Sequence, residues 1–157
     1  MANFYDKWLG FWEESQQEKS EARTVIHEEE LEWVETPQDF RVALLASREN
    51  GFRTWGSEYM VAEIPPGCHT GKHEHGEEGI YIVEGAGFSL VNGTKYEWAK
   101  GSTLWMPFGS QHQHFNTGTV PHQMLRSAPG IRQNFMQRIA KERIPYLRWA
   151  HHGINRE

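Results

Sequence analysis

Between Thr24 and Ser127 the apolar residues fall in short runs separated by turn residues, not at helical spacing. Phe40–Ser47 and Tyr59–Ile64 read as strands, and Pro65-Pro66-Gly67 breaks the chain after the second. Ile80–Val83 is a β-branched and aromatic run that ends near Gly85 and Gly87, where positive φ is open to glycine. Phe88–Val91 and Thr94–Trp98 flank Asn92-Gly93, the strongest short-range hairpin signal. Lys100-Gly101 turns the chain again, and Pro107 stops the run Thr103–Met106. Short strands at intervals of roughly ten residues predict an all-β sandwich or barrel.

The ends of the chain follow other patterns. Phe4, Tyr5, Trp8, Leu9, Phe11 and Trp12 share one broad helical face, so residues 3–19 are expected to form a helix. Its polar side is acidic, which disfavours a membrane role and leaves packing on the domain, closure of a pocket mouth or contact with a partner subunit. Ile131–Lys141 reads as a short helix ended by Pro145, and His151 and His152 follow as a solvated pair. Three parts result: a helical extension over residues 1–23, a β-domain over 24–130 and a C-terminal extension over 131–157.

Composition narrows the function. The 157 residues are 38% apolar and 24% charged, within the folded range for one domain. Aromatics make up 13%, including seven Trp, enough to build a compact core from large side chains. Acidic residues outnumber basic ones, 21 to 16, for a net charge of −5, which argues against nucleic-acid binding. No apolar run is long enough to span a membrane, and the start MANFYDKWLGFWEES lacks the pattern of a signal peptide. One cysteine, Cys68, rules out an internal disulfide and fits a reducing cytoplasm. The expected location is therefore cytoplasmic. A homodimer is expected, because the Trp-rich helix and the strand edges of a small barrel both need covering.

The chemistry concentrates in two windows that hold five of the nine histidines. The first contains His69, His73 and His75, followed by Glu77 and Glu78; the second contains His112 and His114. Residues two apart in a strand point to the same side, so His73 and His75 can aim at one point. A carboxylate can reach the same point round the following turn, and His112 can reach it from a neighbouring strand. Neutral imidazoles with one carboxylate, each about 2.0–2.2 Å from the ion, make a normal site for a first-row divalent metal. By parity His114 shares the side of His112, as a base, a substrate hydrogen-bond donor or a structural residue. His69 reads as a solvated loop residue, and His27 and His122 as structural. Cys68 is a weak metal or nucleophile signal. Strand parity makes Tyr81 a packing residue, and either Trp105 or Met106 must face the interior.

These windows resemble the two motifs of the cupins. Gly67, five residues, His73-x-His75, Glu78, six residues and Gly85 match the first. Only two residues separate His75 from Glu78, one fewer than the family's usual loop. Counting back from Gly85 selects Glu78; counting forward from His75 selects neither Glu77 nor Glu78, and a three-histidine site stays open. Gly101, five residues, Pro107-x-Gly109, two residues, His112, three residues and Asn116 match the second motif at every fixed position. The resemblance implies a double-stranded β-helix, the jelly-roll barrel, with a divalent metal held by His73, His75, Glu78 and His112.

The ending His112-x-His114-x-Asn116 is similar to that of gentisate-type ring-cleaving dioxygenases, which are Fe(II) cupins. The resemblance thus implies an Fe(II) dioxygenase acting on a small aromatic or related organic substrate, with His114 placed to take or give a proton. An aromatic-rich barrel wall would suit such a substrate. Two other readings stand beside it. One is a non-oxidative isomerase or lyase using Zn, Mn or Ni, with Cu as a further possible metal of the site, and the other is a module that binds a small ligand.

Overall fold

The computed structural model describes residues 3–36, 38–54 and 56–128. The readings made for Ile131–Lys141, for His151 and His152 and for the C-terminal extension lie outside these residues.

The chain starts with α1 (Phe4–Glu21). Asn3 caps it: its side chain accepts from the Tyr5 and Asp6 backbone amides, and Asp6 accepts in return from the Asn3 amide. Ion pairs from Arg48 to Glu18 and from Arg53 to Glu21 tie its second half to the domain. Its first half is bare: Phe4, Tyr5, Trp8 and Leu9 are 57–69% exposed. The expected helix is present, but these four residues stay exposed and are not buried against the described part of the domain.

Among the described residues nine strands follow: β1 (Arg41–Ala46), β2 (Glu58–Ile64), β3 (His73–Glu74), β4 (Glu78–Glu84), β5 (Ala86–Val91), β6 (Thr94–Ala99), β7 (Thr103–Met106), β8 (Gln111–Asn116) and β9 (His122–Ala128). They form two antiparallel sheets of a jelly-roll barrel, one ordered β1-β2-β9-β4-β7 and the other β3-β8-β5-β6. Among the described residues no helix is long and apolar enough to cross a membrane.

Period-two alternation decides what enters the space between the sheets. Ile64, Ile80, Ile82, Trp98, Met106 and Met124 form the buried apolar cluster, and Cys68 packs with them as a small apolar residue. One expectation is met and another corrected here. Glu78 pairs with Met106 and Gly79 with Trp105, so Met106 is the inward residue and Trp105 is 57% exposed. Tyr81 does face away from Glu78, but it is exposed and does not pack. The wall is therefore mainly aliphatic, and Trp98 is the aromatic in the described cluster.

Asn92 (φ 49°) and Gly93 (φ 83°) form the two-residue hairpin loop that the sequence predicts. Gly85 has positive φ as expected, but Gly87 does not and is needed for a different reason. A Cβ on Gly87 would stand 1.9 Å from the Phe115 carbonyl oxygen and 2.5 Å from the Trp98 ring. Gly87→Ala should cost at least the ~1–3 kcal/mol of an overpacked core, because backbone must move. Gly93→Ala meets open space and pays only for its backbone angle, about 1–2 kcal/mol. Thermal unfolding should therefore place Gly87→Ala below Gly93→Ala; the reverse order would disprove the clash.

Candidate metal centre

The strand β8 presents a polar inner row. His112, His114 and Asn116 are buried, while Gln111, Gln113 and Phe115 face outward. Antiparallel pairing of β3 with β8 sets His73 opposite His112. His75 lies beyond the end of β3, so strand parity does not bring it in; it approaches from the turn that follows. The rings still converge, with centroids 4.4 Å apart for His73–His112, 4.7 Å for His75–His112 and 5.3 Å for His73–His75.

Each of these rings is held the same way. His73 Nδ1 lies 2.7 Å from the Gly71 carbonyl, His75 Nδ1 2.7 Å from the Gly76 carbonyl, and His112 Nδ1 2.9 Å from the Ser110 carbonyl. A carbonyl only accepts, so each Nδ1 carries the proton and donates it. Each Nε2 is left as a lone pair, the wiring typical of metal-ligating histidines. One ligand atom from each of the three lies within 4.8 Å of the others.

Glu78 opens β4 in the opposite sheet, and its Oε2 is 3.7 Å from His75 Nε2. Both Glu78 Oε2 and His112 Nε2 are buried without a hydrogen-bond partner. Such atoms are costly to bury unless something else satisfies them. Nitrogen lone pairs and a carboxylate oxygen around one point fit a divalent cation. Glu77 is half-buried and belongs to neither group of converging donors.

Electrostatics agrees with this donor set. Burial, and then the neighbouring histidines, lower the His73 pKa to about 3 and that of His112 to about 2, so both are neutral lone-pair donors. Burial raises the Glu78 pKa, and Arg126 and His75 act against that shift.

Sequence reasoning missed Arg126 and Asp39. The Arg126 guanidinium is fully buried on β9 and pairs with Asp39 through contacts of 2.7 and 2.9 Å. Its Nε stands 3.9 Å from Glu78 Oε1. Burial works against the Arg126 charge, but Asp39 and Glu78 outweigh it and hold its pKa above the usual value. The available signal was parity: Met124 and Arg126 share the inward side of β9. Removing the cation with Arg126→Met leaves two carboxylates in a low-dielectric interior. Urea unfolding should show a loss of about 3–5 kcal/mol; a loss below about 1 kcal/mol would mean the pair does not hold the interior together.

Other predicted residues are placed as follows. His114 is fully buried, 5.5 Å ring to ring from His112, with Nδ1 2.7 Å from Ser89 Oγ. One ligand atom each from Glu78, His112 and His114 forms a second group within 4.8 Å. His69 is not a solvated loop residue. Its ring lies against Phe115 at 5.1 Å, tilted by 43°, and its Nδ1 is 2.9 Å from both the Thr70 carbonyl and Gln113 Nε2, which itself donates to that carbonyl at 2.8 Å. Asn116 braces the fold by donating to the Ile64 and Val120 carbonyls and accepting from the Gly118 amide. His27 is exposed and precedes a short 3-10 turn, Glu28–Glu30.

Residues 60–126 match the family model described as the cupin domain. A cupin-2 domain protein of Rhodospirillum rubrum shares the fold at a TM-score of 0.56 and 17% identity, over 69% of this chain and 75% of that one. The family likeness is therefore carried by residues 60–126, the greater part of the β-domain. The polyketide cyclase RemF of Streptomyces resistomycificus superposes on this chain at a TM-score of 0.58, with 21% identity over 68% of this chain and 79% of that one. A predicted oxalate decarboxylase of Thermotoga maritima gives 0.55 and 24%, over 66% and 96%. At these identities the likeness concerns the fold. An uncharacterized protein of Methanocaldococcus jannaschii is 38% identical over 74 residues, which are 45% of this chain and 59% of that protein. The match therefore spans less than two thirds of that relative's length.

Proposed function

We propose that this protein is a cupin-type metal-dependent enzyme, with His73, His75, His112 and Glu78 as the ligands of one divalent ion. The observation that supports this most directly is the shared wiring of three histidines, each with Nδ1 on a backbone carbonyl and Nε2 in the cluster. When bound, the ion supplies a Lewis-acidic and, as Fe(II), redox-active centre with coordination positions left open. The protein's own residues orient the donors, exclude water and place His114 beside a bound substrate.

Within that reading we favour Fe(II) and dioxygenation of a small aromatic or related organic compound. Support comes from the likeness of His112, His114 and Asn116 to the ring-cleaving cupins. The aliphatic wall does not add to it. A second reading, a non-oxidative isomerase or lyase using Zn, Mn or Ni, draws on the structural neighbours named as a polyketide cyclase and a predicted oxalate decarboxylase.

The deciding experiment is elemental analysis of protein purified anaerobically without added metal, joined to O₂-uptake assays with catechols and hydroxybenzoates. Near-stoichiometric iron with uptake supports the dioxygenase. Another metal with anaerobic turnover supports the second reading. Failure to take up any divalent metal would remove the metal site itself. A homodimer belongs to the same proposal, formed through the bare apolar half of α1. Light scattering should give twice the chain mass, and the mass of a single chain at micromolar concentration would exclude it.

A further inference from the structure

We infer that His114 is held as a fixed hydrogen-bond donor, with its Nε2 proton beside the metal cluster, and that the site takes a ligand with an anionic oxygen such as a carboxylate, phenolate or enolate. This rests on the metal site proposed above.

The argument begins at Trp98. Its indole nitrogen can only donate, and it donates to Ser89 Oγ at 2.8 Å. Ser89 is 0% exposed, so its hydroxyl proton cannot be given to water. Among the described residues the other polar neighbour of Ser89 Oγ is His114 Nδ1, at 2.7 Å. Were Nδ1 also a donor, the hydroxyl proton would be buried without an acceptor, which is costly. The chain of donation therefore runs from Trp98 to Ser89 to His114 Nδ1. The neutral ring then carries its proton on Nε2.

This is the reverse of the wiring at His73, His75 and His112, where a carbonyl fixes the proton on Nδ1. It separates two roles that the sequence does not distinguish. A protonated Nε2 has no lone pair for an ion, so His114 is a donor to a ligand and not a fourth imidazole on the metal. The backbone reinforces the ring's position, because the His114 amide donates to Thr70 Oγ1 at 2.9 Å. The Glu78 carboxylate does not absorb the donor through Oε2, which has no hydrogen-bond partner.

Ligand class follows from charge. Three neutral imidazoles and one carboxylate leave a divalent ion with one positive charge uncompensated. An anionic oxygen on the ion answers that charge and accepts from His114 Nε2–H. Ser89 and Trp98 are positioning residues that act only through His114.

The test reads the tautomer directly. Full-length protein labelled with ¹⁵N-histidine is examined by long-range imidazole ¹H–¹⁵N correlation, metal-free and loaded with Zn(II). The expected result is an Nε2–H tautomer for His114 in both states, with Nδ1–H for His73, His75 and His112. Ser89→Ala should shift His114 toward Nδ1–H while the other three stay in place, which also shows that the variant is folded. The wild-type spectrum decides even if that variant does not fold. An Nδ1–H tautomer for wild-type His114, or a zinc-induced change at its Nε2, overturns the donor assignment.

The ligand class is tested on Co(II)-loaded protein titrated with acetate and followed by the cobalt absorption bands. His114→Leu should weaken acetate binding about tenfold or more at unchanged cobalt content. His114→Gln, which keeps an N–H donor, should stay within about threefold of wild type. Equal acetate affinity in wild type and His114→Leu overturns the ligand class. Absence of cobalt uptake by wild type overturns the metal site and the ligand class together, and the metal-free tautomer still decides the donor assignment.

Discussion

His112→Ala should lower the affinity for divalent metal at least about 100-fold, beyond the 10–100-fold that loss of a supporting partner costs. His112 is the ring nearest to both His73 and His75, and its Nε2 is buried without a hydrogen-bond partner. Without it two imidazoles and Glu78 remain, one ligand short of the proposed set. A ligand that binds only the folded state stabilises it by about 2.7 kcal/mol at one hundred times its Kd. Wild-type protein should therefore gain thermal stability on metal addition, and His112→Ala should gain almost none. His69→Ala provides the control, because His69 lies against Phe115 and outside the cluster. Chelator competition followed by elemental analysis measures the affinities. Unchanged affinity in His112→Ala would take His112 out of the ligand set.

The metal-free protein should lose stability as it is acidified from pH 7 toward pH 4. His73 and His112 titrate near 3 and 2 in the folded state, against 6.5 when unfolded. Below pH 6.5 the unfolded chain takes up two protons that the folded chain refuses, so the equilibrium moves toward unfolding. Each histidine contributes a slope of up to about 1.4 kcal/mol per pH unit. Glu78 has the opposite sign. Its folded pKa is raised, so it favours the folded state at low pH and loses that contribution as pH rises through its folded value. Two histidines against one carboxyl leave a net loss on acidification. Urea midpoints at pH 7.5, 6 and 5 in the presence of a chelator would show it. Constant midpoints would mean that the folded state accepts protons at His73 and His112.

Much of this architecture is legible in the sequence because strand physics is local. Asn92-Gly93 names its own turn, Pro107 stops β7, and the alternation in Gln111–Asn116 puts His112 and His114 on one side. What is not legible depends on register between distant strands. Choosing Met106 over Trp105 for the interior requires knowing that Met106 faces Glu78. The need for Gly87 comes from the Trp98 ring and the Phe115 carbonyl on two neighbouring strands. The ion pair of Arg126 with Asp39 spans 87 positions, so no local pattern announces it. His75 reaches the cluster although the strand that justified it ends at Glu74, because a turn can aim a side chain as well as a pleat can.

One wall of the cluster hangs on very little backbone. The strand β3 is two residues long, and with β8 it forms only the pairs His73–His112 and Glu74–Gln111. It is also an edge, with β8 as its one neighbour in the sheet. The chain beside it is tied further by the Thr70 amide to the His114 carbonyl, the Gly71 amide to the Gln38 carbonyl and the Gly109 amide to the His75 carbonyl, still less than the two full ladders that hold β4. Ion exchange through this edge would need local fraying only, with the rest of the sandwich closed. The lifetime of a bound ion would then be set by the edge strand and be largely independent of the global unfolding rate.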